Sequence, residues 1–128
     1  MPTVKLADDG APTVTIPKAD PPAEEQIEVL KKGTGDVVAA GASVVLQYQG
    51  VIWGTGAVFD QSWGNGPVTL ATTDVIEGFS DALIGQSVGS QVLVVIPPGK
   101  GYGDAGVSSA GISGTDTLVF VIDILSLG

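Results

Sequence analysis

Two stretches late in the chain, "SQVLVVIPP" at 90–98 and "DTLVFVIDILSL" at 116–127, limit the fold most tightly, because they are strand-like yet apolar at nearly every position rather than at every second one. A strand that is apolar on both faces belongs in the middle of a sheet that something covers on at least one side. Between them and the earlier strands, "DVIEGFSDALIGQSVG" at 74–89 changes period: Phe79, Ala82 and Leu83 fall at helical spacing and Gly85 offers a C-terminal stop. That is one short helix of about two or three turns. Earlier still, "QIEVLKKG" at 26–33 and "ASVVLQYQGVIW" at 42–53 read as strands, the second with Val44, Leu46 and Tyr48 on one face. Many strands with a single helix late in the chain predict an α+β domain built on an antiparallel sheet. Glycine, at 19 of 128 residues, is about twice the roughly 7% of ordinary globular chains and suits tight turns between those strands.

Composition removes whole classes of chemistry. The length fits one domain with one compact site. Cysteine, histidine and arginine are all absent, so there is no thiol nucleophile, no imidazole base, no bidentate phosphate clamp, and none of the commonest metal ligand. No cofactor and no metal site are expected. The net charge is −9, and from Gly33 onward eight acidic residues face only Lys100. Nucleic acid and anionic membrane surfaces are therefore poor partners. No apolar run approaches the roughly 18 to 20 residues of a membrane span, so no membrane insertion is expected.

Residues 1–24 form an N-terminal extension, and 25–128 the main domain. The extension is rich in proline and charge, which favours a mobile tail, but "TVKLADDGAPTVTI" at 3–16 also allows a short hairpin turning at Asp9-Gly10.

"PPGKGYGDAG" at 97–106 contains the pattern G-x-G-x-x-G in Gly101, Gly103 and Gly106. A dinucleotide fingerprint has to leave a strand, open a helix and meet an acidic residue about 20 residues later within a βαβ unit. Here two prolines precede it and "VSSAGISGTD" follows, too rich in glycine and serine for a helix. Asp123 is near the required distance but lies inside the last strand. The glycines instead let the chain turn on both sides of Tyr102.

Taken in order, "VFD" at 58–60, "VIEGFSDALIGQSVGSQVLVVIPPGKGYGDAG" at 75–106 and "TLVFVIDIL" at 117–125 strongly resemble the FKBP family, the macrolide-binding peptidyl-prolyl isomerases. The similarity runs from about Gln26 to Leu127. It implies a twisted antiparallel β-sheet wrapped around one short α-helix, with an apolar pocket between them. Carried over by position, it implies Asp60, Tyr102 and Tyr48 as catalytic residues, and Phe59, Val75, Ile76, Phe79, Ile112 and Phe120 as substrate-binding ones. Taken singly, most of these apolar residues are ordinary core candidates. Only the ordered series marks them as a pocket.

The chain also departs from the family. Phe79 stands where tryptophan is common, Val68 follows Pro67 where an aromatic residue is frequent, and the arginine usual near the aspartate is missing from "DQSWGNGP". Ile112-Ser113-Gly114 replaces the family's I-P-P, after a one-residue insertion.

The implied function is rotation of X-Pro amides in an apolar pocket, assisting protein folding without covalent chemistry. In that scheme Tyr102 offers an O–H, and the Ile76 N–H a second donor, to a substrate carbonyl. The implied partners are proline-containing peptides, unfolded proteins and macrolide ligands, and the implied state is a monomer. Two other readings stay open from the residues: a proline-peptide or macrolide binding module or chaperone with weak or no isomerase activity, and a purely structural β-domain. The acidic, lysine-poor body and the proline-rich lead resemble secreted or lipoprotein-borne actinobacterial members, which implies an extracytoplasmic location with the export signal removed.

Overall fold

The structure, a computed structural model, describes residues 3–6, 12–15, 24–54, 56, 58–62, 66–73, 75–97 and 117–127. Among them the order is β1 (Thr3–Leu6), β2 (Pro12–Thr15), β3 (Gln26–Lys31), β4 (Ser43–Ile52), β5 (Val58–Gln61), β6 (Val68–Ala71), α1 (Glu77–Leu83), β7 (Gln91–Ile96) and β8 (Leu118–Leu127). Strands β3 to β8 make one antiparallel sheet in the order β3-β7-β8-β4-β5, with β6 paired to the first half of β4 and β5 to its second half. This is the α+β arrangement that the sequence predicts. No helix among the described residues is long and apolar enough to cross a membrane.

The two doubly apolar runs occupy the centre. All six residues of β7 are buried, as are the first five of β8. Their register, Val92↔Ile122, Val94↔Phe120 and Ile96↔Leu118, sends alternate side chains to opposite faces of the pleat. One set joins Val44, Leu46, Phe79, Ala82 and Leu83 in the main core under α1. The other set, Leu93, Val95, Val119 and Val121, forms a second core with Val51 and Trp53 on the face away from the helix.

Helix α1 has seven residues, the short end of the expected range, and it buries Gly78, Phe79, Ala82 and Leu83 against the sheet. Ile76 precedes it without a side-chain cap, while Glu77 in the first turn complements the positive end of the helix. Gly85 ends it as predicted: its φ of 87° lies in the left-handed region that side chains with a Cβ avoid, and its N–H donates to the Val38 carbonyl at 2.8 Å.

Within the N-terminal extension the structure describes two four-residue strands. β1 pairs with β2 antiparallel from Thr3↔Thr15 to Leu6↔Pro12, as a two-stranded sheet separate from the main one. The expected turn at Asp9-Gly10 lies outside the described residues. Val14 of β2 packs against the second core.

Candidate functional site

Tyr48 of β4, Phe59 of β5, Phe79 of α1 and Phe120 of β8 meet on the helix side of the sheet. Phe120 is their hub. Its ring lies 5.1 Å from Phe79 and 5.5 Å from Phe59 between centroids, both edge-to-face, and 6.4 Å from Tyr48 at a tilt. Tyr48 in turn meets Phe79 edge-on at 5.9 Å. Such pairs contribute about 0.5–1.5 kcal/mol each beyond the area they bury. Phe79 and Phe120 are buried; Tyr48, Phe59, Val75 and Ile76 are half-buried and pack against the same core.

Each ring is placed by a local feature. The β4–β5 register passes from Gly50↔Asp60 to Val51↔Val58, which leaves Phe59 as the extra residue of a β-bulge. A bulge bends its strand and re-aims a side chain, and here the Phe59 ring lands on Phe120. Gly50 stands opposite Phe120 on the other edge of β4. A Cβ at Gly50 would sit 2.6 Å from the Phe59 ring and 2.8 Å from the Phe120 ring, so the two rings can meet only because that position has no side chain.

Ser62 fixes the end of β5 beside Tyr48. The Ser62 N–H donates to the Tyr48 carbonyl at 2.9 Å, and the Tyr48 N–H donates to Ser62 Oγ at 2.8 Å. The Ser62 hydroxyl then donates to Gln47 Oε1 at 3.0 Å. At the mouth of the helix, the Ile76 carbonyl accepts from the Phe79 and Ser80 N–H groups at 3.0 and 3.1 Å. The Ile76 N–H has no acceptor among the described residues.

Six of the nine residues implied by the sequence are thus brought together: Tyr48, Phe59, Val75, Ile76, Phe79 and Phe120. Asp60 is placed by its backbone, opposite Gly50. Tyr102 and Ile112 lie outside the described residues. Gly50, Ser62 and Gln47 do not stand out in sequence-based reasoning. The one available signal is the glycine itself, since glycine inside a strand often marks a close approach.

A separate surface cleft, lined by Val29, Lys32, Gly85, Gln86, Ser87 and Ser90, shares no residue with the rings. Among the described residues no group of three or more histidine, cysteine or acidic side chains could hold a metal.

Buried aromatic rings bordered by half-buried apolar side chains, in a chain without histidine or cysteine, suit the class of proteins that handle an apolar group without covalent chemistry. The sequence pattern of the FKBP-type peptidyl-prolyl cis-trans isomerases matches residues 35–125, and the chain belongs to that family. It is 35% identical over 119 residues to the "FK506-binding protein" of Streptomyces anulatus, covering 91% of this chain and 96% of that one. To the "Probable FK506-binding protein" of Corynebacterium glutamicum it is 34% identical over 116 residues, covering 90% and 97%. The crystal structure of a peptidyl-prolyl cis-trans isomerase from Pseudomonas syringae pv. tomato superposes with a TM-score of 0.74 at 28% identity, over 98% of this chain and 80% of that one. The chain is accordingly a peptidyl-prolyl cis-trans isomerase, with the sheet-on-helix fold of its relatives.

Proposed function

We propose that the four-ring cluster, with Val75 and Ile76 at its rim, is the cavity that holds the prolyl ring while its amide rotates. The observation that supports this is the convergence of three rings on Phe120 at the point where β5 bulges and α1 begins.

An X-Pro amide rotates over a barrier of roughly 18–20 kcal/mol without breaking a bond. Its planarity comes from a charge-separated resonance form that water stabilises, so transfer into an apolar cavity favours the twisted, less polar transition state. Only about 5–6 kcal/mol of differential stabilisation gives a ten-thousandfold acceleration. Phe79 and Phe120 supply the flat floor, Phe59, Val75 and Ile76 enclose the ring, and the Ile76 N–H donates to a substrate carbonyl. Tyr102 is assigned a second donor and Asp60 the orientation of the Tyr48 hydroxyl, both on the family resemblance.

The test is a protease-free isomerase assay on wild type, Phe59→Ala and Asp60→Val. Loss of about tenfold or more in kcat/KM in each variant, roughly 1.4 kcal/mol of transition-state stabilisation, is the expected result. Variants that fold and keep wild-type rates would place the chemistry elsewhere.

The Streptomyces and Corynebacterium relatives carry FK506 binding in their names. A macrolide is proposed to occupy the same cavity of this chain as a monomer, and unfolded proteins are proposed as clients. FK506 should inhibit the isomerase competitively; inhibition that excess peptide substrate does not relieve would refute a shared cavity. The acidic, lysine-poor body supports an extracytoplasmic location, which fractionation of the producing cell would refute by finding the chain in the cytoplasm alone.

A further inference from the structure

We propose that the sheet face opposite the isomerase cavity is a docking surface whose occupant is the chain's own N-terminal hairpin, β1–β2, seated there as a separable cover.

A sheet that carries its helix on one face commonly turns polar side chains to water on the other. This one does not. On the face away from α1, Leu93, Val95, Val119 and Val121 are 0% exposed, Val51 1% and Trp53 8%. These six residues come from β4, β7, β8 and the residue after β4, so the apolar surface runs across the three central strands. Further along the same face the side chains become polar: the register aligns Lys31, Gln91, Asp123 and Gln47 in one row across β3, β7, β8 and β4. An apolar centre with a polar margin is the anatomy of an interface.

The described side chain from outside the main sheet that packs on this centre is Val14 of β2. The hairpin does not extend the six-stranded sheet; it is a sheet of its own. Its seat is therefore made by side-chain packing, not by a shared ladder. The segment joining it to the body, "IPKADPPA" at 16–23, contains three prolines, which lack the N–H that a ladder requires.

Each half of the arrangement needs the other. A two-stranded hairpin with strands of four residues is marginal in water by itself. An uncovered apolar face of this breadth invites association. The family pattern spans residues 35–125, so the hairpin precedes the segment that the pattern describes. It adds a third layer, behind the sheet from the cavity.

The experiment uses the full chain with Trp63→Phe, which leaves Trp53 as the fluorescent reporter on the docking face. Val14→Asp places a carboxylate on the apolar seat, where it is strongly disfavoured, and should raise acrylamide quenching of Trp53 by about twofold or more. Val14→Ile should leave it unchanged. Isomerase kcat/KM should stay at the level of the Trp63→Phe parent, because Val14 is on the opposite face from the rings. If Trp53 stays shielded but Val14→Asp alone becomes a concentration-dependent dimer in sedimentation, the vacated face has been taken by a second copy, and the docking surface stands. If Trp53 quenching and oligomeric state both match the parent, the hairpin does not cover this face and the proposal fails. Should Val14→Asp unfold the chain, Val14→Ser provides the same comparison with a neutral polar group.

Discussion

Ser62 grips Tyr48 from two sides: its N–H donates to the Tyr48 carbonyl at 2.9 Å and its Oγ accepts from the Tyr48 N–H at 2.8 Å, so a side-chain oxygen completes the strand pairing where β5 ends. Ser62 is 3% exposed, and water has little access to an N–H that loses its acceptor there. Ser62→Ala should therefore cost about 1–3 kcal/mol of stability. Because the lost bond belongs to Tyr48, the amide hydrogen of Tyr48 should exchange faster in the variant, and kcat/KM should fall along with it. Urea unfolding and hydrogen exchange followed by NMR check both. An unchanged Tyr48 exchange rate would mean that Ser62 does not hold this residue.

Gly50 is the empty position on which the ring cluster depends. Adding one methyl group places a carbon 2.6 Å from the Phe59 ring, which forces the bulged strand or the ring aside. Gly50→Ala should cost about 1–3 kcal/mol by overpacking. It should also lower isomerase activity more than a stability-matched substitution in the second core, such as Val121→Ala. Equal activity in the two variants would show that Phe59 can move without effect on catalysis.

The centre of the fold was legible in the sequence and the margins were not. β7, β8 and α1 announce themselves because their signals are local: a doubly apolar run, or Phe79, Ala82 and Leu83 at helical spacing before a glycine. The same runs show that β7 and β8 are covered, but not by what. The cover includes Val14, from a hairpin whose four-residue strands sit in a proline-rich extension that favours a tail. That Tyr48, Phe59, Phe79 and Phe120 come together was legible only from an ordered series of motifs, since Phe79 or Phe120 alone reads as core, and each is in fact buried. Gly50 and Ser62 acquire their roles from the register between β4 and β5 and from the bulge at Phe59. No local pattern in the sequence encodes that register.

On the outer face, burial raises the pKa of Asp123 above the ordinary 3.8, and Lys31 nearby partly opposes it. A carboxyl with a raised folded-state pKa binds more protons in the native chain than in the unfolded one between the two pKa values. Stability therefore falls as pH rises across that window, and the penalty is fully present above it. Asp123→Asn removes the charge. It should be more stable than wild type at neutral pH, by a margin that shrinks as pH falls through the folded pKa and is gone below 3.8. Solvent screening of the half-exposed carboxyl keeps the margin small. Urea midpoints of the two proteins across the acid range provide the test, and a wild type that is the more stable at neutral pH would reverse the sign.

Phe79 lies in the helix core, the proposed function also places it on the cavity floor, and two substitutions separate those roles. Phe79→Ala removes the ring and leaves a void beneath α1, at a cost of about 3–5 kcal/mol. Phe79→Leu keeps most of the apolar volume but loses two edge-to-face contacts, with Phe120 at 5.1 Å and Tyr48 at 5.9 Å, which together account for about 1–3 kcal/mol. If Phe79 were only a packing residue, the leucine variant at a temperature where it is fully folded would isomerise at the wild-type rate. If the ring is the surface on which proline rests, kcat/KM drops in Phe79→Leu even where circular dichroism shows no unfolded population. The expected result is that drop, with KM for an X-Pro peptide rising as kcat falls. A leucine variant with wild-type constants would take Phe79 out of the cavity and leave it in the core alone.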